Sequence, residues 1–121
     1  MEPIKFTSRR DGCQYEIVFC KDSYANNNRL YIGCNCSDGE PYCDITVNLT
    51  QDNIPEGNYG FLDTNNGERD LFDLMFEKGW MENTGDFAMS GFCIYPLVKF
   101  SDEFLEMIEN EMTIENEIDQ E

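Results

Sequence analysis

Three thiols lie close together in the first half of the chain: Cys34, Cys36 and Cys43, spaced C-x-C-x6-C. Thiolates at short spacing suit a zinc site, which takes four thiolate, imidazole or carboxylate ligands. The sequence holds no histidine and no C-x2-C pair, so a zinc ion would need a fourth thiolate or a carboxylate from elsewhere. No metal and no cofactor is therefore expected, and these three cysteines are the one weak candidate ligand set.

A second grouping is Asp63, Asn65 and Gly67 in "LDTNNGERD", which begins like a calcium loop. An EF-hand loop needs glycine at its sixth position and glutamate at its twelfth. Counted from Asp63, those positions hold Glu68 and Leu74. An Asx-type turn leading into a helix is the better reading. Catalytic groupings are scarcer still. Without histidine the commonest general base is missing. Cys93 in "SGFCIYP" has apolar flanks, which raise a thiol pKa and dull it. There is no G-x-S-x-G turn and no glycine-rich phosphate loop. A protein that is not an enzyme is expected.

Charge is the strongest signal. Twenty-five acidic residues against eight basic ones give −17 over 121 residues. The end, "SDEFLEMIENEMTIENEIDQE", carries nine acids and no base, and the residues before it carry a further −8. Such a field repels phosphate backbones and anionic membranes and favours basic surfaces. Direct nucleic-acid or membrane binding is not expected; a basic protein partner is. An acidic terminus also has a plainer use, as a solvated segment that aids solubility.

The elements that position these groups follow from periodicity. "PIKFTS" and "CQYEIVFC" read as strands joined by an Asp-Gly turn, with Tyr15, Ile17 and Phe19 on one face of the second. "RLYIGCNC" and "YCDITVNL" continue an antiparallel meander, the latter with Ile45, Val47 and Leu49 on one face. "KDSYANNN" between them reads as a loop. "QDNIPEGNYG" crosses the surface. From Glu68 the period becomes helical, through Leu71, Phe72, Met75, Phe76 and Trp80, ended by Gly79. "FAMSGFCIYPLVKF" reads as a strand pair or bent strand, with Pro96 limiting regular pairing. Ser101 caps a final helix whose apolar face is Leu105, Ile108 and Met112. The expected class is α+β: an antiparallel β-sheet of about five or six strands packed with one central helix and a C-terminal acidic helix. Residues 1–112 form one domain, and 113–121 an acidic tail.

An even count of six cysteines would suggest disulfides in a secreted chain, but cytosolic thiols are mostly kept reduced, and free Cys in strands behaves as a small buried hydrophobe. "MEPIKFTSRRDG" lacks the apolar stretch of a signal peptide. A cytoplasmic protein is expected.

Four stretches, "LYIGCNCSDGEPYCDITVNL", "FLDTNN", "GWMENTG" and "SGFCIYPLVKF", together resemble an uncharacterised domain family carried on plasmids, conjugative elements and phages of Firmicutes. The likeness covers about residues 29 to 100; the "GCNC" segment and the acidic end stand outside its pattern. It carries no activity over to any residue. It implies a genetic setting, mobile DNA that must survive in a bacterial cell, where proteins that block restriction or CRISPR nucleases by imitating DNA are at home. The expected partner-binding surface is Asp102, Glu103, Glu106, Glu109, Glu111, Glu115 and Glu117 together with Asp63, Glu68, Asp70 and Asp73. The expected partner is a nucleic-acid-binding nuclease or effector. The alternative is a non-catalytic binding module for a basic replication or transfer protein of the same element.

Overall fold

A computed structural model describes residues 2–108. Two four-stranded antiparallel sheets and two short helices form the fold. The class is α+β as expected. The strand arrangement differs from a single sheet.

The first sheet is a plain meander of β1 (Ile4–Thr7), β2 (Gln14–Ser23), β3 (Leu30–Cys36) and β4 (Pro41–Asp44), in that spatial order. Alternation sets its faces: β2 buries Ile17 and Phe19 and exposes Gln14 and Glu16. β2 runs on to Ser23, past the point where "KDSYANNN" reads as a loop, because Lys21, Asp22 and Ser23 pair with Ile32, Tyr31 and Leu30.

The second sheet has the order β5 (Thr46–Val47), β6 (Tyr59–Leu62), β8 (Cys93–Phe100), β7 (Met81–Ser90). The apparent single strand "YCDITVNL" therefore divides between the sheets. Ile45 is the pivot: its N–H donates to the Ile32 carbonyl at 2.9 Å, and its own carbonyl accepts the Asp63 N–H at 2.9 Å. Ile45 is fully buried in the main core, whereas Val47 and Leu49 pack against a second, smaller cluster. The expectation that all three share one face is corrected on this point.

β7 and β8 form a long hairpin in which β8 passes straight through Pro96, opposite Phe87. The irregularity falls in the partner strand, between Asn83 and Phe87. There the Thr84 hydroxyl donates to the Leu97 carbonyl at 2.8 Å.

Helix α1 (Arg69–Glu77) turns Leu71, Phe72 and Met75 into the core. It ends in a Schellman motif: the Trp80 N–H reaches the Met75 carbonyl at 3.0 Å, and the Gly79 N–H reaches Phe76 at 3.1 Å. Gly79 takes φ +73, the left-handed value that this motif requires. Helix α2, described over residues 102–108, is capped by the Ser101 hydroxyl, which accepts the Phe104 N–H at 3.1 Å. It buries Phe104, Leu105 and Ile108. Met112, assigned to the same apolar face, lies outside the described residues, as does the 113–121 segment.

One main core joins both sheets and both helices, with Phe19, Trp80 and Phe104 in mutual ring contact. The second cluster, Phe61, Ala88, Tyr95 and Leu97, occupies the other face of the second sheet. The 48–58 segment covers it, pinned by Arg29, which donates to the Leu49 and Asp52 carbonyls at 2.9 and 2.7 Å. No helix among the described residues is long and apolar enough to cross a membrane.

Candidate functional site

The acidic residues singled out in the sequence fall into unlike environments. Asp63 is buried: its side chain accepts the Asn66 N–H at 3.1 Å and its carbonyl the Gly67 N–H at 2.8 Å. This is the Asx-type turn expected before α1. Glu68 is buried as well. It accepts the Ser8 hydroxyl at 3.2 Å and the Tyr42 hydroxyl at 3.0 Å, and lies 3.3 Å from the Arg10 guanidinium. Burial first, and then the hydrogen bond to Glu68, hold the Tyr42 phenol above its ordinary pKa.

Asp70 is clamped by Arg9, accepting the backbone N–H at 2.8 Å and Nε at 2.6 Å, and Asp73 meets the same guanidinium at 3.4 Å. The backbone N–H of Arg9 is the first cause of the lowered Asp70 pKa, with the Arg9 side chain adding to it. The turn between β1 and β2 thus delivers two arginines to the first turns of α1. A surface that included Asp63 and Glu68 would be presenting carboxylates that face inward.

Asp102 accepts a hydrogen bond from the Asn58 side chain, and Glu103 and Glu106 are exposed on α2. Asp102 lines a depression with Gly79 and Phe76, at the C-terminal end of α1. The Arg9 and Arg10 contacts lie at the helix's other end. The two acidic groups are therefore set apart along α1. Glu109, Glu111, Glu115 and Glu117 lie outside the described residues.

The cysteines form a pair and a neighbour. Cys34 and Cys43 face each other across β3 and β4 with their sulfurs 3.5 Å apart. The hydrogen bond to Cys43, and then burial, hold the Cys34 thiol protonated well above its ordinary pKa. Cys36 is half-buried, and its thiol is also pushed up, by burial first and then by Asp38 and Glu40. Among the described residues, no group of three or more Cys, Asp or Glu side chains is arranged to hold a metal ion.

A feature the sequence reading missed lies at the tip of the β7–β8 hairpin. Phe87, Met89, Phe92 and Ile94 are the exposed large apolar side chains of the described residues, and Phe92 is fully exposed. Read as an apolar strand pair, "FAMSGFCIYPLVKF" suggests burial on both faces. The available signal was the turn: Ser90 pairs with Cys93, so Gly91 and Phe92 form a two-residue loop and the phenyl ring stands at its apex. Next to the hairpin, a groove of about 380 Å³ runs along α1, floored by Leu62, Phe72, Phe76 and Pro96.

A family model described as a domain of unknown function (DUF4313) matches residues 20–117. The matched span starts inside β2, so Arg9 and Arg10 precede it, while Glu68, Asp70 and the hairpin lie within it. It also runs through the "GCNC" segment and most of the acidic end. No curated protein and no solved structure matches the chain.

Proposed function

We propose, for a chain that belongs to the DUF4313 family, an acidic binding protein of a mobile genetic element that inhibits a host-defence nuclease. The target class is a restriction or CRISPR effector in the bacterial cytoplasm, and the inhibitor is non-catalytic and carries no cofactor. It presents negative charge to a channel built for nucleic acid. One observation carries this reading: the net charge of −17 together with the engagement of five of the eight basic side chains by the chain's own groups. Arg9 is spent on Asp70 and Asp73 of α1, Arg10 on Glu68 at its N-cap, and Arg29 on backbone carbonyls. Lys78 and Lys99 lie over the rings of Trp80 and Tyr59. Beyond Lys99, which lines the same depression as Asp102, the sequence holds no Lys or Arg to compensate the acids of α2 and of the chain after it. They supply the recognition face, in place of the Asp63 and Glu68 carboxylates.

A second reading draws on the exposed apolar hairpin, which phosphate mimicry does not need. On that reading the chain is a binding module for a basic replication or transfer protein of the same element.

Purified restriction and CRISPR nucleases, assayed for DNA cleavage with the full-length chain, test the first reading. A companion variant replaces Glu103, Glu106, Glu109, Glu111, Glu115 and Glu117 with glutamine. Inhibition of a nuclease that weakens with salt and is lost in the variant supports the proposal. Unchanged cleavage across the panel, with binding to a replication or transfer protein, selects the second reading. Removing everything after Phe100 is the wrong comparison, because it takes Phe104, Leu105 and Ile108 out of the core.

A further inference from the structure

Four large apolar side chains exposed on one hairpin are a concentration that folding does not require. Isolated exposed hydrophobes are ordinary, but contiguous ones mark contact surfaces. Phe87 and Met89 alternate along β7, and Ile94 lies opposite Met89 on β8, so the three share one face of the ribbon. Further along, this same face of the sheet is core, where Val98 and Phe100 are fully buried. Towards its tip the hairpin outruns the helices that would cover it.

Phe92 adds the sharper argument. Gly91 has φ +62 at the first central position of a two-residue turn, which is the type II′ signature. The second position accepts small polar residues readily, so a phenyl ring there gains nothing from the fold. The hairpin is tied to the rest of the fold near its tip, where the Thr64 hydroxyl donates to the Ile94 carbonyl at 2.9 Å, and Thr84 bonds Leu97 across its two strands. An ordered mount that presents an aromatic side chain is how interface anchors are built.

Charge selects the occupant. Between Gly79 and Val98 there is no Lys or Arg, while Asp86 is exposed next to Phe87; Glu82, at the far end of β7, lies opposite Lys99. The adjoining groove holds one base and one acid, Arg69 and Asp73, the latter also met by Arg9. The tip itself carries no base and belongs to a chain of charge −17. A second copy or an anionic bilayer would meet like charge. We propose that the β7–β8 tip is the docking centre for a basic protein, with Phe92 seated in an apolar pocket of the partner whose rim carries Lys and Arg. This inference rests on the partner sign of the reading above, but not on the partner being a nuclease.

The test uses the full-length chain with Phe92 replaced by the photo-crosslinking residue p-benzoylphenylalanine. It is irradiated with each purified nuclease of the panel, with basic plasmid replication and transfer proteins, with phosphatidylglycerol vesicles, and alone. An adduct with a basic protein, mapped to a pocket beside Lys or Arg, is expected. For that pair, Phe92→Ser with Met89→Ser should weaken Kd by about tenfold or more and leave the unfolding midpoint unchanged. Adducts only with itself, only with vesicles, or with nothing overturn the proposal. The two readings fail separately. A nuclease inhibited equally by the Ser variant removes the docking centre and keeps the inhibitor; a replication or transfer protein cross-linked with no nuclease inhibited does the reverse.

Discussion

Among the carboxylates, Glu68 shows how burial changes what a charge is for. Its side chain is 8% exposed, and two hydroxyl donors, Ser8 and Tyr42, depend on it. Ser8 is itself fully buried. Removing the acceptor leaves the buried Ser8 hydroxyl and the half-buried Tyr42 hydroxyl unpaired, which costs more than the hydrogen bonds contribute net. Glu68→Ala is expected to lower stability by about 2 kcal/mol, and Glu68→Gln by less, since it keeps one acceptor and the volume. Urea unfolding measures both. An alanine variant of full stability would mean that Glu68 is a surface carboxylate after all. Asp70 makes a different prediction, in pH. Its folded pKa is lowered, chiefly by the Arg9 backbone N–H. The stability it contributes is present above the ordinary aspartate value of about 3.9 and is lost as pH falls through the lower folded value. Asp70→Asn should therefore flatten the acid limb of a thermal-midpoint profile below about pH 4. An unchanged limb would count against the Arg9 clamp.

Gly60 in β6 and Gly91 in the β7–β8 turn test different constraints. A Cβ on Gly60 would meet the Thr46 Cγ2 at 2.9 Å and Phe100 Cε2 at 3.4 Å, where β5, β6 and β8 close on the core. A Cβ on Gly91 meets nothing, so only its positive φ resists substitution. Gly91→Ala is expected to cost about 1 kcal/mol, and Gly60→Ala about 1–3 kcal/mol from overpacking. Thermal unfolding of the two variants ranks them; a harmless Gly60→Ala would show that β5 is loosely seated. These strands also show what the sequence made legible. Alternation in "CQYEIVFC", the helical period from Leu71 to Phe76 and the Ser101 cap each arise from contacts within a few residues, and each reads correctly. The division at Ile45 does not, because "YCDITVNL" alternates without a break. What redirects it is pairing with Ile32 and Asp63, both distant in sequence. The pairing of Glu68 with Ser8, 60 residues away, was hidden for the same reason. An acidic residue next to a helix start reads as surface until the arginine-bearing turn is placed against it. The hairpin tip failed differently: its composition matches core, and only the position of the two-residue turn distinguishes the apex from the interior.

A charge of −17 on 121 residues acts on the folded chain as a whole. Arg9 and Arg10 form one cluster of ion pairs, with Asp11, Glu68, Asp70 and Asp73. Both arginine side chains are more than half exposed, so salt screens much of that attraction. Repulsion among the other carboxylates is screened over the Debye length, about 10 Å at 0.1 M salt and about 30 Å at 0.01 M. Compaction brings them closer than the unfolded chain does, so repulsion opposes folding most at low ionic strength. Raising sodium chloride from about 0.01 to about 0.15 M at neutral pH should therefore raise the thermal midpoint, and potassium chloride should do so equally. A midpoint that falls over this range would mean that the Arg9–Arg10 cluster outweighs the general repulsion. The same salt series separates stability from recognition. Screening strengthens the fold while it weakens attraction to a basic partner, so a chain that binds through charge becomes more stable and less effective together. Binding centred on the apolar hairpin should fall less steeply over the same series, because seating Phe92 in a dry pocket is not screened.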